Sequence, residues 1–189
     1  MGIYKRIREL WKKPKTTLNA LNKERLILWR TELSTVRIKR PTRLDKARSL
    51  GYRAKEGILV IRQRVSRGGR QRPQFKGGRR PKHMRRKKIV NKNYQQIAEE
   101  RVAQKYTNCE IINSYKVGQD GLSAWYEVII ADRYSPSIVN DKILGWTLFS
   151  KGKAQRGLTS AGRKSRGLRK KGIGAEKIRP SLNANKGRH

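Results

Sequence analysis

From residue 109 the chain reads Cys109-Glu110-Ile111-Ile112-Asn113-Ser114-Tyr115-Lys116-Val117-Gly118-Gln119-Asp120-Gly121-Leu122-Ser123-Ala124-Trp125-Tyr126-Glu127-Val128-Ile129-Ile130-Ala131. Two runs rich in β-branched and aromatic residues, near Cys109 to Val117 and Ala124 to Ala131, flank Gly118-Gln119-Asp120-Gly121. Glycine and aspartate supply the backbone freedom and local hydrogen bonding of a tight turn, so the stretch predicts an antiparallel hairpin. Upstream, Tyr94, Ile97, Ala98, Val102 and Tyr106 recur at helical spacing behind Asn93, a good N-cap. Further upstream, Ile58 to Val65 is β-branched and begins to alternate, with Arg62 and Arg64 on one face and Ile61 and Val65 on the other. A strand, a helix and a hairpin in that order predict an α+β fold.

The N-terminal part reads as helical. Ile3, Ile7, Leu10 and Trp11 lie at helical spacing until Pro14; after Thr16 and Thr17, either of which could cap, Leu26, Trp29, Leu33 and Val36 continue the spacing until Pro41. Trp11 and Trp29 read as packing residues. The core is large enough only if these helices pack on it. The expected architecture is therefore a small mixed or antiparallel sheet with packed helices, plus a long basic extended loop and a basic C-terminal tail. Residues 1–40 are assigned to helices packing on the core, 41–66 and 93–150 to the core itself, 67–92 to a basic insert and 151–189 to the extended tail.

Charge supports this division. The chain carries 49 Lys and Arg against 13 Asp and Glu, a net charge of +36 on 189 residues. On a sphere of roughly 20 Å radius at physiological salt that charge would repel itself by on the order of 40 kcal/mol, whereas domains are stable by only about 5–15 kcal/mol. Basic residues should therefore spread onto extended segments and meet a polyanion. No acidic residue lies between Glu56 and Glu99, or between Asp141 and Glu176, while residues 93–141 hold seven acidic and four basic side chains, a net −3. A nearly neutral centre with basic arms fits a protein whose arms are ordered by nucleic acid.

Residues 62–92 contain 14 basic and no acidic side chains, with Arg67-Gly68-Gly69-Arg70, the pair Gly77-Gly78 and the run Arg85-Arg86-Lys87-Lys88. Solubility needs a net charge of only about 2–8, so this excess points to phosphate, which Arg can grip with a fork and Lys with a mobile point charge. A second basic segment, Arg156-Gly157-Leu158-Thr159-Ser160-Ala161-Gly162-Arg163-Lys164-Ser165-Arg166-Gly167-Leu168, nearly matches a nucleotide-binding P-loop. That motif sets Lys directly after the second Gly, and here Arg163 intervenes; no Mg²⁺ carboxylate candidate lies between Asp141 and Glu176. The same composition suits RNA backbone contacts.

Other chemistries find little support. Cys109 is the only cysteine and His83 and His189 the only histidines, so neither a disulfide framework nor a four-ligand zinc site is expected. A reducing, intracellular setting fits. No apolar run approaches the roughly 20 residues of a membrane span, Met1-Gly2-Ile3-Tyr4-Lys5-Arg6 lacks a signal-peptide apolar stretch, and Arg6 stands where a myristoylation motif wants Ser or Thr. An RNA-processing enzyme would have to draw its acid and base from two isolated histidines or from carboxylates confined mainly to the core, and neither forms a persuasive cluster.

Four stretches carry a family resemblance: Pro41-Thr42-Arg43-Leu44-Asp45-Lys46-Ala47-Arg48-Ser49-Leu50-Gly51-Tyr52, Arg67-Gly68-Gly69-Arg70, Asn113-Ser114-Tyr115-Lys116-Val117-Gly118, and Arg156 to Leu168. Together they closely resemble the archaeal and eukaryotic large-subunit ribosomal protein family L-fifteen-e. The likeness runs from Met1 through Leu168 and is most specific in its last segment. It implies a small core with antiparallel strands, no enzymatic activity, no cofactor or metal, and a cytoplasmic place in the ribosome. The implied partners are large-subunit ribosomal RNA, through long extensions, and neighbouring large-subunit proteins, with no membrane and no small-molecule substrate.

The residues expected to meet RNA are Arg40, Arg43, Lys46, Arg48, Arg53, Arg62 and Arg64 around the core; Arg67, Arg70, Arg72, Arg79, Arg80, Arg85, Arg86, Lys87 and Lys88 in the insert; and Arg156, Arg163, Lys164, Arg166, Arg169, Lys170 and Lys171 in the tail. An architectural DNA-binding protein, or another RNA-binding assembly protein, would share the charge. The sequence shows no helix-turn-helix, zinc finger or basic-region zipper, and glycine-broken basic arms suit irregular RNA surfaces better.

Overall fold

A computed structural model of the chain describes residues 2–83, 89 and 91–169. The elements in order are α1 (Ile3–Leu10), α2 (Pro14–Thr17), α3 (Asn19–Thr31), β1 (Thr35–Ile38), α4 (Leu44–Ser49), β2 (Ile58–Ser66), α5 (Tyr94–Lys105), β3 (Cys109–Gln119), β4 (Ser123–Asp132), α6 (Pro136–Val139) and α7 (Ser160–Ser165). Short 3-10 turns lie at Pro81–His83 and Gly145–Leu148. The four strands form one antiparallel sheet in the order β1-β2-β4-β3, which bears out the expected α+β class.

The expected hairpin joins β3 and β4, but β3 continues through Gly118 and Gln119, so the turn narrows to Asp120-Gly121-Leu122. Asp120 closes the turn: its N–H donates to the Ser123 carbonyl at 2.9 Å, and its Oδ1 accepts from the N–H of Leu122 and Ser123 at 2.8 and 2.6 Å. β4 lies between β2 and β3 and is covered on both faces, which explains its nearly continuous apolar run. Tyr126, Val128 and Ile130 join Ile61, Val65 and Ile111 beneath Ala98 and Val102 of α5. Trp125, Ile129 and Ala131 face the other way and pack with Ile58, Tyr115, Val117 and Trp29 of α3. The rings of Trp29 and Trp125 are tilted by 50° with centroids 6.0 Å apart, so Trp29 is the packing residue the sequence predicted.

α5 begins at Asn93 as expected, with the Gln96 N–H donating to the Asn93 Oδ1 at 2.7 Å. The same asparagine ties down the C-terminal segment: its Nδ2 donates to the Ala161 carbonyl at 3.1 Å and its N–H to the Ser165 Oγ at 3.0 Å.

Three expectations change. The second N-terminal helix stops at Thr31, and Val36 lies in edge strand β1 opposite Arg62. The Ser34 carbonyl accepts from the Arg64 N–H at 2.7 Å, so pairing with a distant strand overrides the local spacing of Leu33 and Val36. Neither Thr16 nor Thr17 caps α3; their hydroxyls donate to carbonyls of the preceding turn. Finally, the chain does not leave the core at 151. Ala154, Thr159, Ala161 and Leu168 are buried, and the chain stays on the core as far as Leu168. Small residues permit this approach: a Cβ on Gly162 would lie 2.7 Å from the Gly157 Cα.

α1 lies beside α4, with the Arg48 guanidinium 5.7 Å from the Tyr4 ring centroid. It buries none of its own side chains, and Ile3 and Leu10 remain exposed.

Candidate nucleic-acid interface

Three of the seven acidic residues of the central stretch, Glu99, Glu110 and Glu127, turn fully inward. Glu127 of β4 is fully buried; the Thr42 N–H donates to both of its oxygens at 3.2 and 3.1 Å, and the Tyr115 hydroxyl donates to Oε2. Glu99 of α5 is likewise buried and accepts from the hydroxyls of Ser114 and Thr159. Glu110 of β3 accepts backbone N–H bonds from Gly152 and Lys153 at 2.8 and 3.1 Å. Burial pushes the carboxyls of Glu99 and Glu127 above the ordinary glutamate range, because removing an ion from water disfavours its charged form. Each carboxylate fastens a segment that carries basic side chains: 41–43 through Glu127, and 152–159 through Glu110 and Glu99. These bonds are made by backbone and hydroxyl groups and use none of the segments' cations: Arg156 is exposed, and Arg43 and Lys153 are partly buried.

Most of the expected RNA-contacting residues sit accordingly. Arg40, Lys46, Arg48 and Arg53 are exposed around α4. Arg67, Arg70, Arg72, Arg79 and Arg80 are exposed in the loop after β2, as are Arg156, Arg163, Lys164, Arg166 and Arg169 at the C-terminal segment. In the loop, the guanidiniums of Arg72 and Arg79 lie 5.8 and 5.7 Å from the Phe75 ring centroid, a cation–π arrangement that organises the loop without neutralising it. Arg67 anchors the loop root by donating to the carbonyls of Asp120 and Gly121. Arg85, Arg86, Lys87, Lys88, Lys170 and Lys171 lie outside the described residues.

Arg62 is set apart. It is buried, pairs with Glu32 at 2.5 Å and lies 4.6 Å from the Trp29 ring centroid, so its charge is used inside the fold. Arg64 is half-buried and donates to the Arg30 carbonyl at 2.7 Å. Arg43 is half-buried too, paired with Asp45 at 3.1 Å and 5.3 Å from the Trp11 ring centroid.

The P-loop resemblance dissolves structurally. Thr159 caps α7 by accepting from the Gly162 N–H at 3.1 Å, the two glycines pack on each other, and the Ser165 hydroxyl is occupied by Asn93. The Cys109 thiol is pushed up to about 11 by burial, so it is a poor nucleophile at neutral pH. Among the described residues no group of three or more His, Cys, Asp or Glu could hold a metal, and no helix is long and apolar enough to cross a membrane.

Sequence reasoning missed a cavity of about 470 Å³ between the N-terminal helices and β3, lined by Trp11, Leu26, Trp29 and Val117 together with Lys15, Lys23, Arg43 and Lys116. It could not be seen in the sequence, because Lys116 and Lys23 are 93 positions apart and only the packing of α3 on β3 joins them.

The family described as Ribosomal L15 matches residues 2–185. The chain belongs to it. Curated relatives agree in length as well as in sequence. The large ribosomal subunit protein eL15 of Picrophilus torridus is 51% identical over 189 residues, covering 98% of this chain and 97% of the relative. The eL15 proteins of Methanospirillum hungatei and Methanocorpusculum labreanum are each 50% identical, over 99% and 98% of this chain and 97% and 96% of their own lengths. The Ribosomal L15 match confirms the resemblance read from residues 41–52, 67–70, 113–118 and 156–168, and with it the non-enzymatic reading.

Proposed function

We propose that this chain is a structural constituent of the cytoplasmic large ribosomal subunit, holding folded large-subunit ribosomal RNA through the exposed cations around α4, the loop from residue 67 to 92 and the C-terminal segment. Neighbouring large-subunit proteins are its other partners. Family membership supports the ribosomal role. The observation that carries the RNA-binding part is the sorting of charge: the carboxylates of Glu99, Glu110 and Glu127 are buried against segment backbones and hydroxyls, while Arg40, Lys46 and Arg48 beside the first fastened segment, and Arg156 and Arg163 in and beside the second, stay exposed. Such an arrangement holds the roots of the basic segments rigid and presents cations to phosphate, which dominates affinity for RNA.

Sedimentation tests this. Native protein should travel with large ribosomal subunits through a moderate-salt wash, and purified protein should bind ribosomal RNA with a steep salt dependence. Protein left at the top of the gradient, or a preference for duplex DNA over ribosomal RNA of matched length, would favour an architectural DNA-binding role instead.

A further inference from the structure

The cavity between α2, α3 and β3 differs from the surrounding basic surface. Its wall combines the indoles of Trp11 and Trp29 with the amides of Asn19, Asn22 and Gln119, and its lining includes four cations and no Asp or Glu. Aromatic rings offer a face to stack on, amides offer a donor and an acceptor to a base edge, and ammonium groups attract phosphate. At about 470 Å³ the cavity falls within the roughly 300–1,000 Å³ usual for small-ligand sites.

Its construction is specific. Gly118 lets β3 approach α3, since a Cβ there would lie 3.2 Å from the Trp29 ring and 3.3 Å from the Leu26 side chain. The register of β3 against β4 shifts between Lys116 and Gly118, a bulge of the kind that re-aims side chains at a site's edge. Lys15 and Lys23 are exposed and have no ion-pair partner among the described residues. Lys116 bonds the neutral Gln119 side chain, and desolvation followed by repulsion from Arg67 lowers its pKa. An anion would relieve these charges.

We propose that this cavity receives one unstacked nucleotide of ribosomal RNA, its base against the Trp11 indole and its phosphate beside Lys15, Lys23 and Lys116. The inference rests on the RNA-binding reading above and adds a base-recognising site to it. The base supplies the contact that a phosphate alone cannot, and the rim cations hold the backbone where the chain of nucleotides enters and leaves. Double-stranded RNA keeps its bases stacked, so the site selects a loop or bulge.

Full-length protein and two labelled probes test it: an adenosine pentaribonucleotide, and a pentamer of the same ribose-phosphate backbone without bases. The adenosine pentamer should quench tryptophan fluorescence saturably and bind on the order of tenfold more tightly than the abasic one, the range of a single base–aromatic stack. Trp11→Ala should remove most of that preference and leave the abasic affinity unchanged, whereas Trp11→Phe, which keeps an aromatic face, should restore it; thermal melts establish that both variants fold. Equal affinity for the two pentamers, or a preference that survives Trp11→Ala, would overturn the proposal while leaving ribosomal RNA binding by the exposed arms intact. Free AMP saturating the site as readily as the pentamer would overturn it in favour of a small-molecule site. Loss of all ribosomal RNA binding by the wild-type protein would bring down the functional reading and this inference together.

Discussion

Thr159 donates its hydroxyl to Glu99 at 2.5 Å, joining residues 60 positions apart, and the same oxygen accepts the Gly162 N–H that begins α7. One side chain therefore satisfies a buried carboxylate on α5 and caps the helix it precedes. Thr159→Val keeps the shape and removes both bonds. It should destabilise RNA-free protein by about 1–3 kcal/mol, read as a lower urea midpoint, while Thr159→Ser stays close to wild type. A wild-type midpoint for the valine variant would show that the C-terminal segment is held by packing alone.

Glu127 sets a pH dependence opposite to that of an exposed, paired carboxylate. Burial raises its folded pKa above the ordinary value of 4.5, opposed by hydrogen bonds from Thr42 and Tyr115 and by the charge of Arg62; Arg25 is also within electrostatic reach. A raised folded pKa means that this group's contribution is fully present below the unfolded pKa and is lost as pH rises through the folded value. Glu127→Gln carries no charge, so its stability relative to wild type should improve as pH rises from about 4.5 through the folded value and then level off. Urea midpoints at several pH values check this, and parallel profiles for the two proteins would refute it. Asp141 contributes in the other direction, because hydrogen bonding from Lys55 lowers its pKa to about 2 and its contribution is lost as pH falls toward that value.

Arg62 and Arg70 should separate folding from binding. Arg62→Ala leaves Glu32 without its partner and strips the guanidinium from Trp29; since Glu32 is partly exposed, the cost should be about 1–3 kcal/mol, below that of a fully buried pair. Its salt dependence of RNA binding should match wild type. Arg70→Ala, at an exposed position, should melt like wild type, with a salt slope flatter by up to about 0.9. The reverse pattern would mean that Arg62 reaches RNA.

The long basic loop should be removable. Its ends are tied to the core by Arg67 at the hairpin turn, by Gly68 bonded to the Tyr94 hydroxyl, and by Lys92 paired with Glu100 at 2.8 Å. Replacing residues 70–91 with a short Gly/Ser linker keeps those ties, and loop closure varies by only about 0.6 kcal/mol per doubling of length. Thermal melting should therefore hold or improve as charge repulsion falls. The excised stretch carries ten Lys and Arg, and if about five touch phosphate the salt slope of ribosomal RNA binding should flatten by roughly four units. An unfolded variant would make the loop part of the core, and an unchanged slope would make it idle in binding.

Local pattern determined much of this protein. The hairpin around Asp120-Gly121, the Asn93 cap and the strand through Ile58 to Val65 are set by neighbours within a few positions, where periodicity and turn chemistry act directly. The charge map and the family stretches pointed to a ribosomal, non-enzymatic protein for the same reason: composition and motif are linear properties. Tertiary structure alone decided the rest. Val36 fitted a helical stripe until Arg62 paired with it across the sheet, and small residues such as Ala154 and Ala161 carried no periodic signal of the burial they achieve. The fates of individual charges were also non-local. Arg62 and Arg70 are both arginines in one basic stretch, yet Trp29 and Glu32 enclose the first and solvent surrounds the second. In the sequence Glu99 and Glu127 only lowered the charge of the central stretch; in the fold they are internal fasteners, because their donors come from Thr159 and Thr42, residues that only the folded chain brings within reach.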